Sequence, residues 1–272
     1  MEKPLRLSID SSRRDSQETW RLLDLEFEDP YLNMAVEEAI ARSVGEGIVA
    51  TTLRYWRNVN AVVIGSHQDY KAEADLQLCT KYGTALVRRF TGGGAVYHDL
   101  GNLNFAISLP RSHRLVKDDI LETFEDLSLA VVRGLRHLGL ENALLENGNC
   151  ILVNGRKLSG LAGCIRWGAF FCHGSILISP DIHRLTEVLL STQYSEERWV
   201  RSMPRAITTI SHELGRTVSL PDVKMALRRG FEDAFGIEIV DGSLSAQESY
   251  VAKRLLHHKY GTQKWNNNLL DM

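Results

Sequence analysis

The most regular hydrophobic pattern in the chain is helical and follows Asp29-Pro30. Asp29 suits an N-cap and Pro30 the first helical position, and Gly45 is placed to end the helix. Between them the apolar residues return at helical spacing: Leu32, Ala35, Val36, Ala39 and Ile40. Three more helices are predicted: about Asp118 to Leu138, followed by Gly139; near Asp222 to Phe235; and one opened by the capping-box pair Ser245 and Glu248.

Short apolar runs separated by turn residues predict β-strands in two clusters. The first cluster reads TTLRYW, AVVIG, TALVRRF and NFAISL, and the second reads CILVNG, KLSGLAGCI and AFFCHGSILI. Strands and helices are segregated along the chain and do not alternate as regular βαβ units. This order predicts an α+β fold in which helices pack on a mixed or largely antiparallel sheet.

The composition indicates an ordinary soluble globular protein. The chain has 272 residues, of which 44% are hydrophobic and 24% charged. We expect a polar tail at residues 1–20 and a single domain at residues 21–272. A formal net charge of −2 gives no general attraction to nucleic acid or anionic membranes. No apolar run approaches the ~20 residues of a membrane helix, so neither nucleic acid nor membrane is expected as a partner.

The cysteines and the N-terminus bear on the compartment. Cys79, Cys150, Cys164 and Cys172 show neither paired metal-ligand spacing nor a dense disulfide pattern. The N-terminus lacks the apolar core of a secretory signal. We therefore expect reduced thiols and a cytoplasmic location.

The stretch RRFTGGGAVYHDLGN, from Arg88 to Asn102, combines two arginines with three consecutive glycines. Adjacent glycines are entropically costly, but they permit positive φ and close approach of a ligand to backbone N–H groups. Arg88 and Arg89 offer guanidinium donors to a phosphate. A glycine-rich hairpin with two solvated arginines is the alternative. The spacing matches neither a Walker loop nor a Rossmann fingerprint.

The stretch VNGRKLSG predicts a tight turn at Asn154-Gly155 that returns the chain into a strand. Strict alternation would place Lys157 and Ser159 on one face of that strand and Leu158 on the other. Lys157 is then either an ordinary edge-strand charge or a cation beside the glycine loop, where it could neutralise a phosphate and a carboxylate together.

Two histidines also have structural and functional readings. His173, in CHGSILI, is a structural histidine or a site residue, and His98-Asp99 could brace a turn through a mutual hydrogen bond. The loop in VVIGSHQDY is a further candidate for ligand contact.

Taken in order, RRFTGGGAVYHDLGN, NGRKLSG and HGSILI closely resemble the lipoate–protein ligase family. The resemblance runs from the Asp29 helix to the C-terminal KYGTQKWN. It is greatest to the short archaeal-type ligases, whose accessory domain is a separate polypeptide. It implies a biotin/lipoyl-ligase-like (class II synthetase-like) α+β fold with a bent mixed sheet flanked by helices. It also implies that residues 21–272 are one catalytic domain.

The resemblance assigns site residues position by position. Those matching ATP or adenylate contacts are Arg89, Gly94, Ala95, Val96, Tyr97 and Lys157. Those expected at the lipoate site are Lys157, Gly65, His67, Gln68, Gly92, Gly93 and His173. Relatives usually have Asn-Asp where this chain has Asn149-Cys150, which leaves Asn149 as the candidate metal-site residue. After the Lys-x-Ser-Gly motif, the chain reads Leu-Ala-Gly-Cys where relatives often have Ser-Ala-Gln.

The implied activity is ATP-dependent. Lipoate, or octanoate, is activated to an acyl-AMP with Mg²⁺, and the acyl group passes to a lysine of an acceptor lipoyl domain. Candidate acceptors are a 2-oxoacid dehydrogenase E2, a glycine-cleavage H protein or a related lipoyl carrier, and a small accessory subunit is expected. The alternatives are an ATP-independent octanoyl or lipoyl transferase using a cysteine thioester, and a non-catalytic protein that binds lipoyl domains or nucleotide.

Overall fold

The computed structural model describes residues 17–190 and 206–267. Strands in these ranges are β1 Thr19–Asp24, β2 Thr52–Trp56, β3 Asn60–Ile64, β4 Ala85–Arg88, β5 Val96–Asp99, β6 Asn102–Pro110, β7 Ala143–Glu146, β8 Cys150–Val153, β9 Arg156–Arg166, β10 Ala169–Leu177 and β11 Glu238–Asp241. Helices are α1 Pro30–Gly45, α2 Tyr70–Glu73, α3 Leu76–Tyr82, α4 Ile120–His137, α5 Ile182–Val188, α6 Ile210–Leu214, α7 Leu220–Phe235, α8 Ala246–Leu255 and α9 Gln263–Asn267. A π-helical turn, Leu256–Tyr260, joins the last two helices.

The strands form two sheets. The large sheet has the order β11-β1-β2-β6-β10-β9-β8-β7, with β1 parallel to β11 and β2 and the other neighbours antiparallel. The small sheet has the order β4-β3-β5, in which β3 is parallel to β4 and antiparallel to β5. The predicted α+β fold with a bent mixed sheet flanked by helices is confirmed.

The two faces of the large sheet are covered differently. On one face, α4 and α7 complete a continuous apolar core, whose largest members include Trp20, Phe105, Phe170 and Phe231. On the other face, α1 and the small sheet pack against β2, β6 and β10 in a second cluster containing Met34, Trp56, Val63 and Phe171. The glycine loop and Lys157 also lie on this second face.

Capping explains why the predicted helices form where they do. The Asp29 carboxylate accepts hydrogen bonds from the N–H groups of Tyr31 and Leu32, and the Ser245–Glu248 capping box is present with both of its hydrogen bonds. Gly45, however, is the last helical residue and the cap is Glu46. A Cβ at Gly45 would lie 2.0 Å from the carbonyl oxygen of Trp167, so this glycine permits a close backbone contact with the β9–β10 turn.

The N-terminal strand differs from the sequence expectation. Thr19 and Trp20, assigned above to the polar tail, begin β1, and Trp20 is fully buried in the main core. The sequence shows only three apolar positions just before Asp24, namely Trp20, Leu22 and Leu23, and they follow a polar stretch that gave no sign of a strand. Residues 1–16 lie outside the described residues. No helix within the described ranges is long and apolar enough to cross a membrane.

Candidate active site

Two loops from the small sheet meet over the large sheet. One follows β3 at residues 65–68, and the other is the glycine loop at residues 91–94. The N–H of Ser66 donates to the carbonyl of Thr91 at 2.8 Å, and a Cβ on Gly65 would lie 2.2 Å from the carbonyl oxygen of Gly93. Gly65 is therefore needed because another part of the chain approaches it.

Gly92 and Gly93 occupy different environments within the glycine loop. Gly93 has φ +87°, and a Cβ there would meet the Arg89 guanidinium at 3.0 Å and the Ala162 side chain at 3.4 Å. Gly92 has no positive φ, and a Cβ there would meet nothing within 4 Å among the described residues. The loop thus lies against β9 at Ala162 and leaves space beside Gly92.

Arg89 holds the glycine loop in this shape. Its guanidinium donates to the carbonyl oxygens of Gly92 at 2.6 Å and Gly94 at 2.8 Å, and to that of Val63 at 3.1 Å. Burial lowers the pKa of Arg89 to about 10, although the carboxylate of Glu37 opposes the shift. Arg88 is also fully buried. The alternative of two solvated arginines is therefore wrong.

A buried hydrogen-bond chain connects α1 to the glycine loop through His173. The Nδ1 of His173 lies 3.0 Å from a carboxylate oxygen of Glu37, and its Nε2 lies 2.7 Å from the Thr91 hydroxyl. That hydroxyl also accepts from Arg89 Nε at 3.1 Å. Sequence reasoning missed Glu37 and Thr91, although two adjacent glutamates within the apolar stripe of α1 were a visible signal.

Lys157 lies on the same sheet face as this loop, but through a β-bulge. Leu152 pairs with Lys157 and Ile151 with Ser159, so Leu158 is the extra residue of the bulge. Cross-strand partners share a face, and the next partner pair on the face of Lys157 is Cys150 with Gly160. The expectation that Lys157 and Ser159 share a face is therefore wrong: Ser159 points the other way, with Ile151.

Gly160 makes room for the lysine amine. A Cβ on Gly160 would lie 3.2 Å from Lys157 Nζ and 3.1 Å from its Cε. Ala162, under Gly93, is two residues further along the same strand, roughly 7 Å away. The structure therefore brings the Lys157 amine and the glycine loop to neighbouring positions of one strand.

A row of small and polar residues crosses the large sheet at the level of the lysine amine. Successive cross-strand partners along it are Trp56, Asn104, Ser175, Gly160, Cys150 and Glu146. Both amide atoms of Asn104 and the indole Nε1 of Trp56 are buried without a hydrogen-bond partner among the described residues. Such groups are costly unless something pairs with them, so this row is a candidate for the polar part of a binding site.

His98 contributes another unpaired buried group. Its Nδ1 lies 3.1 Å from the amide of Asn58, its Nε2 has no partner within the described residues, and burial lowers its pKa to about 3. The suggested His98–Asp99 brace does not form, because the Asp99 carboxylate accepts from the N–H groups of Gly101 and Asp181.

The remaining predicted residues are distributed around the two loops. The Gln68 side chain accepts the Gly65 N–H at 2.8 Å, and His67 is exposed. Ala95 and Val96 connect the glycine loop to β5, where Val96 packs on the cluster of the second face. The Tyr97 ring packs on the opposite side of the small sheet and donates to Asn60 at 3.2 Å. Only the backbone of Tyr97 is on the site side.

The cysteines differ in what they can do. Cys172 is fully buried in the core on the face opposite His173, and burial raises its pKa. Burial raises the pKa of Cys164 to about 11. Burial also raises the pKa of Cys150, but the Lys157 ammonium opposes that shift. Cys150 is therefore the cysteine that lies on the same sheet face as Lys157 and whose pKa the Lys157 ammonium lowers.

The described residues supply few ligands for Mg²⁺. They contain no group of three or more His, Cys, Asp or Glu side chains that could hold a metal ion. The Asn149 amide donates to the carbonyl of Leu161 at 3.2 Å, which leaves a neutral oxygen. Glu146 pairs with Cys150 and so brings a carboxylate to the same face. One carboxylate suits a magnesium ion held mainly by substrate phosphates, and does not suit a protein-built cage.

Solved structures share this architecture. A lipoate protein ligase of Thermoplasma acidophilum with bound lipoic acid has a TM-score of 0.79 at 33% identity, covering 92% of this chain and all of that one. A lipoate-protein ligase A bound with ATP has a TM-score of 0.80 at 34% identity, with coverage of 93% and 100%. A structure of a bi-partite lipoate protein ligase and its E2 lipoyl domain, also from T. acidophilum, has a TM-score of 0.81 at 33% identity, with coverage of 94% and 98%.

Curated proteins match over nearly the whole chain. Lipoate-protein ligase A subunit 1 of T. acidophilum is 33% identical over 249 residues, covering 88% of this chain and 92% of the relative. Octanoyltransferase LipM of Symbiobacterium thermophilum is 32% identical over 270 residues, covering 91% and 97%. A family profile described as the lipoyl protein ligase A/B catalytic domain matches residues 29–232. The chain therefore belongs to the lipoyl protein ligase A/B catalytic domain family.

Proposed function

We propose that this chain is an ATP-dependent lipoate–protein ligase, which forms lipoyl-AMP and transfers the lipoyl group to a lysine of a lipoyl domain. The proposal rests on one observation. The Lys157 amine lies over Gly160, and the glycine loop lies over Ala162, two residues further along β9. A mixed anhydride of a carboxylate and AMP needs one fixed cation near both groups and a backbone that a phosphate can approach. The similar structures with bound lipoic acid and with bound ATP support lipoate and ATP as the substrates of this chain.

The chemistry then proceeds without an enzyme nucleophile. A lipoate carboxylate oxygen attacks the α-phosphorus of ATP, the bond to the β-phosphate oxygen breaks, and pyrophosphate leaves. The acceptor amine next attacks the acyl carbon and AMP leaves, while the amine loses a proton. Lys157 would offset the negative charge on the carboxylate and α-phosphate oxygens. Arg89 would act by holding the glycine loop open to the phosphates, with Gly94, Ala95, Val96 and the backbone of Tyr97 lining the nucleotide.

The lipoate side of the site is assigned to the meeting point of the two loops, near Gly65, Gln68 and Gly93. His67 would contribute only from the exposed edge, and His173 would act by orienting Thr91. Mg²⁺ would arrive with the triphosphate and neutralise part of its charge. Glu146 is a better candidate ligand for it than Asn149, because it brings a carboxylate to the row of the Lys157 amine.

The acceptor and a second subunit are part of the proposal. The relatives named as subunit 1 and as a bi-partite ligase with its E2 lipoyl domain support a lipoyl-domain acceptor and a separate accessory chain. A closed site shields the anhydride from water and orders a glycine-rich loop before ATP binds. We expect the isolated chain to activate free lipoate slowly and a small partner protein to restore the rate.

Lipoylation of an apo lipoyl domain by the purified chain, measured with ATP, Mg²⁺ and lipoate and with or without the candidate partner, tests this expectation. Preformed lipoyl-AMP serves as the control, since it bypasses activation and should be used at similar rates in both samples. Full turnover from free lipoate by the isolated chain would show that no second subunit is needed.

A cysteine-dependent transferase is the second candidate function. The specific observation that favours it is Cys150, which pairs with Gly160 directly under the Lys157 amine, and the LipM relative is named as an octanoyltransferase. In that reaction the Cys150 thiolate would displace a carrier thiol from an acyl thioester, and the acceptor amine would then displace Cys150.

Cys150→Ser separates the two functions. If the acyl group is carried by AMP, Cys150→Ser should retain ATP-dependent lipoylation and lipoate-dependent ATP–pyrophosphate exchange within about threefold, since the thiol takes no part in that chemistry and the substitution replaces one atom. Cys164→Ser, in β9 on the same face of the large sheet, is the matched control. Acyl transfer from an octanoyl carrier without ATP, lost in Cys150→Ser and kept in Cys164→Ser, would establish the transferase.

A further inference from the structure

Arg88 connects the loop at residues 65–68 to the C-terminal part of the chain. One guanidinium nitrogen, Nη1, donates to the carbonyl oxygens of Gly65 and Gln68 at 2.8 Å each, and to that of Ser66 at 3.3 Å. The other two nitrogens donate to the carbonyls of Trp265 at 3.0 Å and Asn266 at 3.2 Å. A single buried cation therefore joins two segments that are distant in sequence.

Trp265 and Asn266 also complete the open edge of the small sheet at Arg88. The Trp265 indole N–H donates to the Arg88 carbonyl at 2.8 Å, and the Arg88 N–H donates to the Asn266 side-chain oxygen at 2.9 Å. A further strand beside β4 would have formed hydrogen bonds with these same two groups, the N–H and the carbonyl of Arg88. Two side chains thus take the place of that strand.

The C-terminal segment at residues 256–267 is itself firmly attached to α1. The Lys259 ammonium lies 2.5 Å, and the Tyr260 hydroxyl 2.6 Å, from the fully buried carboxylate of Glu38. Lys259 also lies 4.0 Å over the Trp265 ring, and the Asn266 amide donates to the Tyr260 carbonyl at 2.6 Å. The π-helical turn brings Lys259 and Tyr260 to the buried side together, and such turns are frequent at functional sites.

We propose that Trp265 and Asn266 are positioning residues for the substrate site, acting through Arg88 on the loop at residues 65–68. The loop in turn fixes the glycine loop, because the Ser66 N–H binds the Thr91 carbonyl and the Gly93 carbonyl packs on Gly65. The two neighbouring arginines contact different loops. Arg89 holds the glycine loop, and Arg88 holds the loop at residues 65–68, against which the glycine loop packs. The role in substrate binding rests on the proposed function.

Trp265→Phe and Asn266→Ala test the proposal. Trp265→Phe keeps a smaller aromatic ring under Lys259 and removes the N–H that binds the Arg88 carbonyl. Asn266→Ala removes the acceptor for the Arg88 N–H together with the amide that donates to the Tyr260 and Thr262 carbonyls. Lys264→Ala is the matched control, since Lys264 is exposed in the same short helix. The first readout is amide hydrogen exchange in peptides covering residues 62–69 and 88–96 of the substrate-free protein. The second is the separate measurement of KM for lipoate and kcat in ATP–pyrophosphate exchange.

Both variants should speed exchange in the two peptides and raise KM for lipoate about tenfold, the effect of one lost hydrogen bond to a desolvated partner. The kcat should change by less than about threefold, since the lost contact positions the site and does not touch the reacting atoms. Arg88→Lys, which keeps the charge but cannot span both segments, should reproduce the pattern. Unchanged exchange, or equal effects in Lys264→Ala, would overturn the proposal.

The exchange measurement also separates this proposal from the proposed function. If the wild-type protein shows no lipoate-dependent ATP–pyrophosphate exchange even with the candidate partner protein present, the ligase assignment fails, while faster amide exchange in Trp265→Phe would still establish the connection between the C-terminal segment and the loop. If the wild-type protein is active and both variants keep the wild-type KM, the ligase assignment stands and the positioning role falls.

Discussion

Lys157→Ala is expected to reduce lipoyl-AMP formation by roughly 10²–10³-fold, the usual cost of removing one preorganised charge from a transition state. The amine lies over Gly160 and faces the glycine loop along β9. Among the described residues, no other lysine has an atom closer to a Cβ built on Gly160. The loss should appear in kcat for ATP–pyrophosphate exchange, because the developing charge is on the phosphate oxygens.

The fold of Lys157→Ala should be intact. The main chain of Lys157 is fixed independently of its side chain, since its N–H donates to Ala206 and its carbonyl accepts from Thr208, each at 2.9 Å. Circular dichroism and thermal unfolding of the variant should match the wild type closely. Arg156→Ala is the control at the adjacent position, where the guanidinium pairs with Glu213 at 2.7 Å away from the row. Near-normal lipoyl-AMP formation by folded Lys157→Ala would remove this residue from the mechanism.

Much of the architecture could be predicted from local sequence signals. Helix α1 was found from the Asp29 cap and the apolar spacing, and the β8–β9 hairpin from Asn154-Gly155, which adopt φ 50° and 74°. These features depend on a few neighbouring residues, so a single sequence reports them. The fold class followed from the order of the segments.

The internal arrangement of the site could not be predicted in the same way. The bulge at Leu158 reverses the faces of the residues after it, and no sequence rule signals one extra residue in a strand. Arg88 and Arg89 are buried because distant carbonyl groups, including those of Trp265 and Asn266, receive their hydrogen bonds. A pair of arginines beside glycines looks equally suited to solvent, and only tertiary contacts distinguish the two cases.

The unpaired polar groups of Trp56, His98 and Asn104 were missed for a related reason. Each belongs to an ordinary strand pattern, and its lack of a partner among the described residues is a property of the assembled sheets. The sequence did single out the glycine loop and the lysine motif, which the structure brings to neighbouring positions of β9. It did not show which side chains hold those elements and which remain available to a substrate.

A matched pair of substitutions, Gly92→Ala and Gly65→Ala, distinguishes a glycine that leaves room for a ligand from a glycine that leaves room for the protein's own chain. Gly92→Ala places a methyl group where the substrate-free protein has nothing within 4 Å, so stability should stay within about 0.5 kcal/mol of wild type or rise slightly through reduced chain entropy. Gly65→Ala instead places a methyl group 2.2 Å from the Gly93 carbonyl oxygen. The loops must then move apart, and we expect a loss of about 1–3 kcal/mol in the free energy of unfolding.

Activity should fall in both variants, but for different reasons. If the adenylate lies against the glycine loop, the Gly92→Ala methyl group intrudes on the ligand, and a misplacement of about 1 Å costs on the order of 100-fold in rate. Gly65→Ala should lose activity together with stability, since the protein's own loops are displaced. Urea unfolding and ATP–pyrophosphate exchange, measured on both variants, provide the comparison. A stable Gly92→Ala protein with wild-type kcat/KM for ATP would show that the nucleotide does not approach this glycine, and that the loop is glycine-rich for the chain's own turn at Gly93.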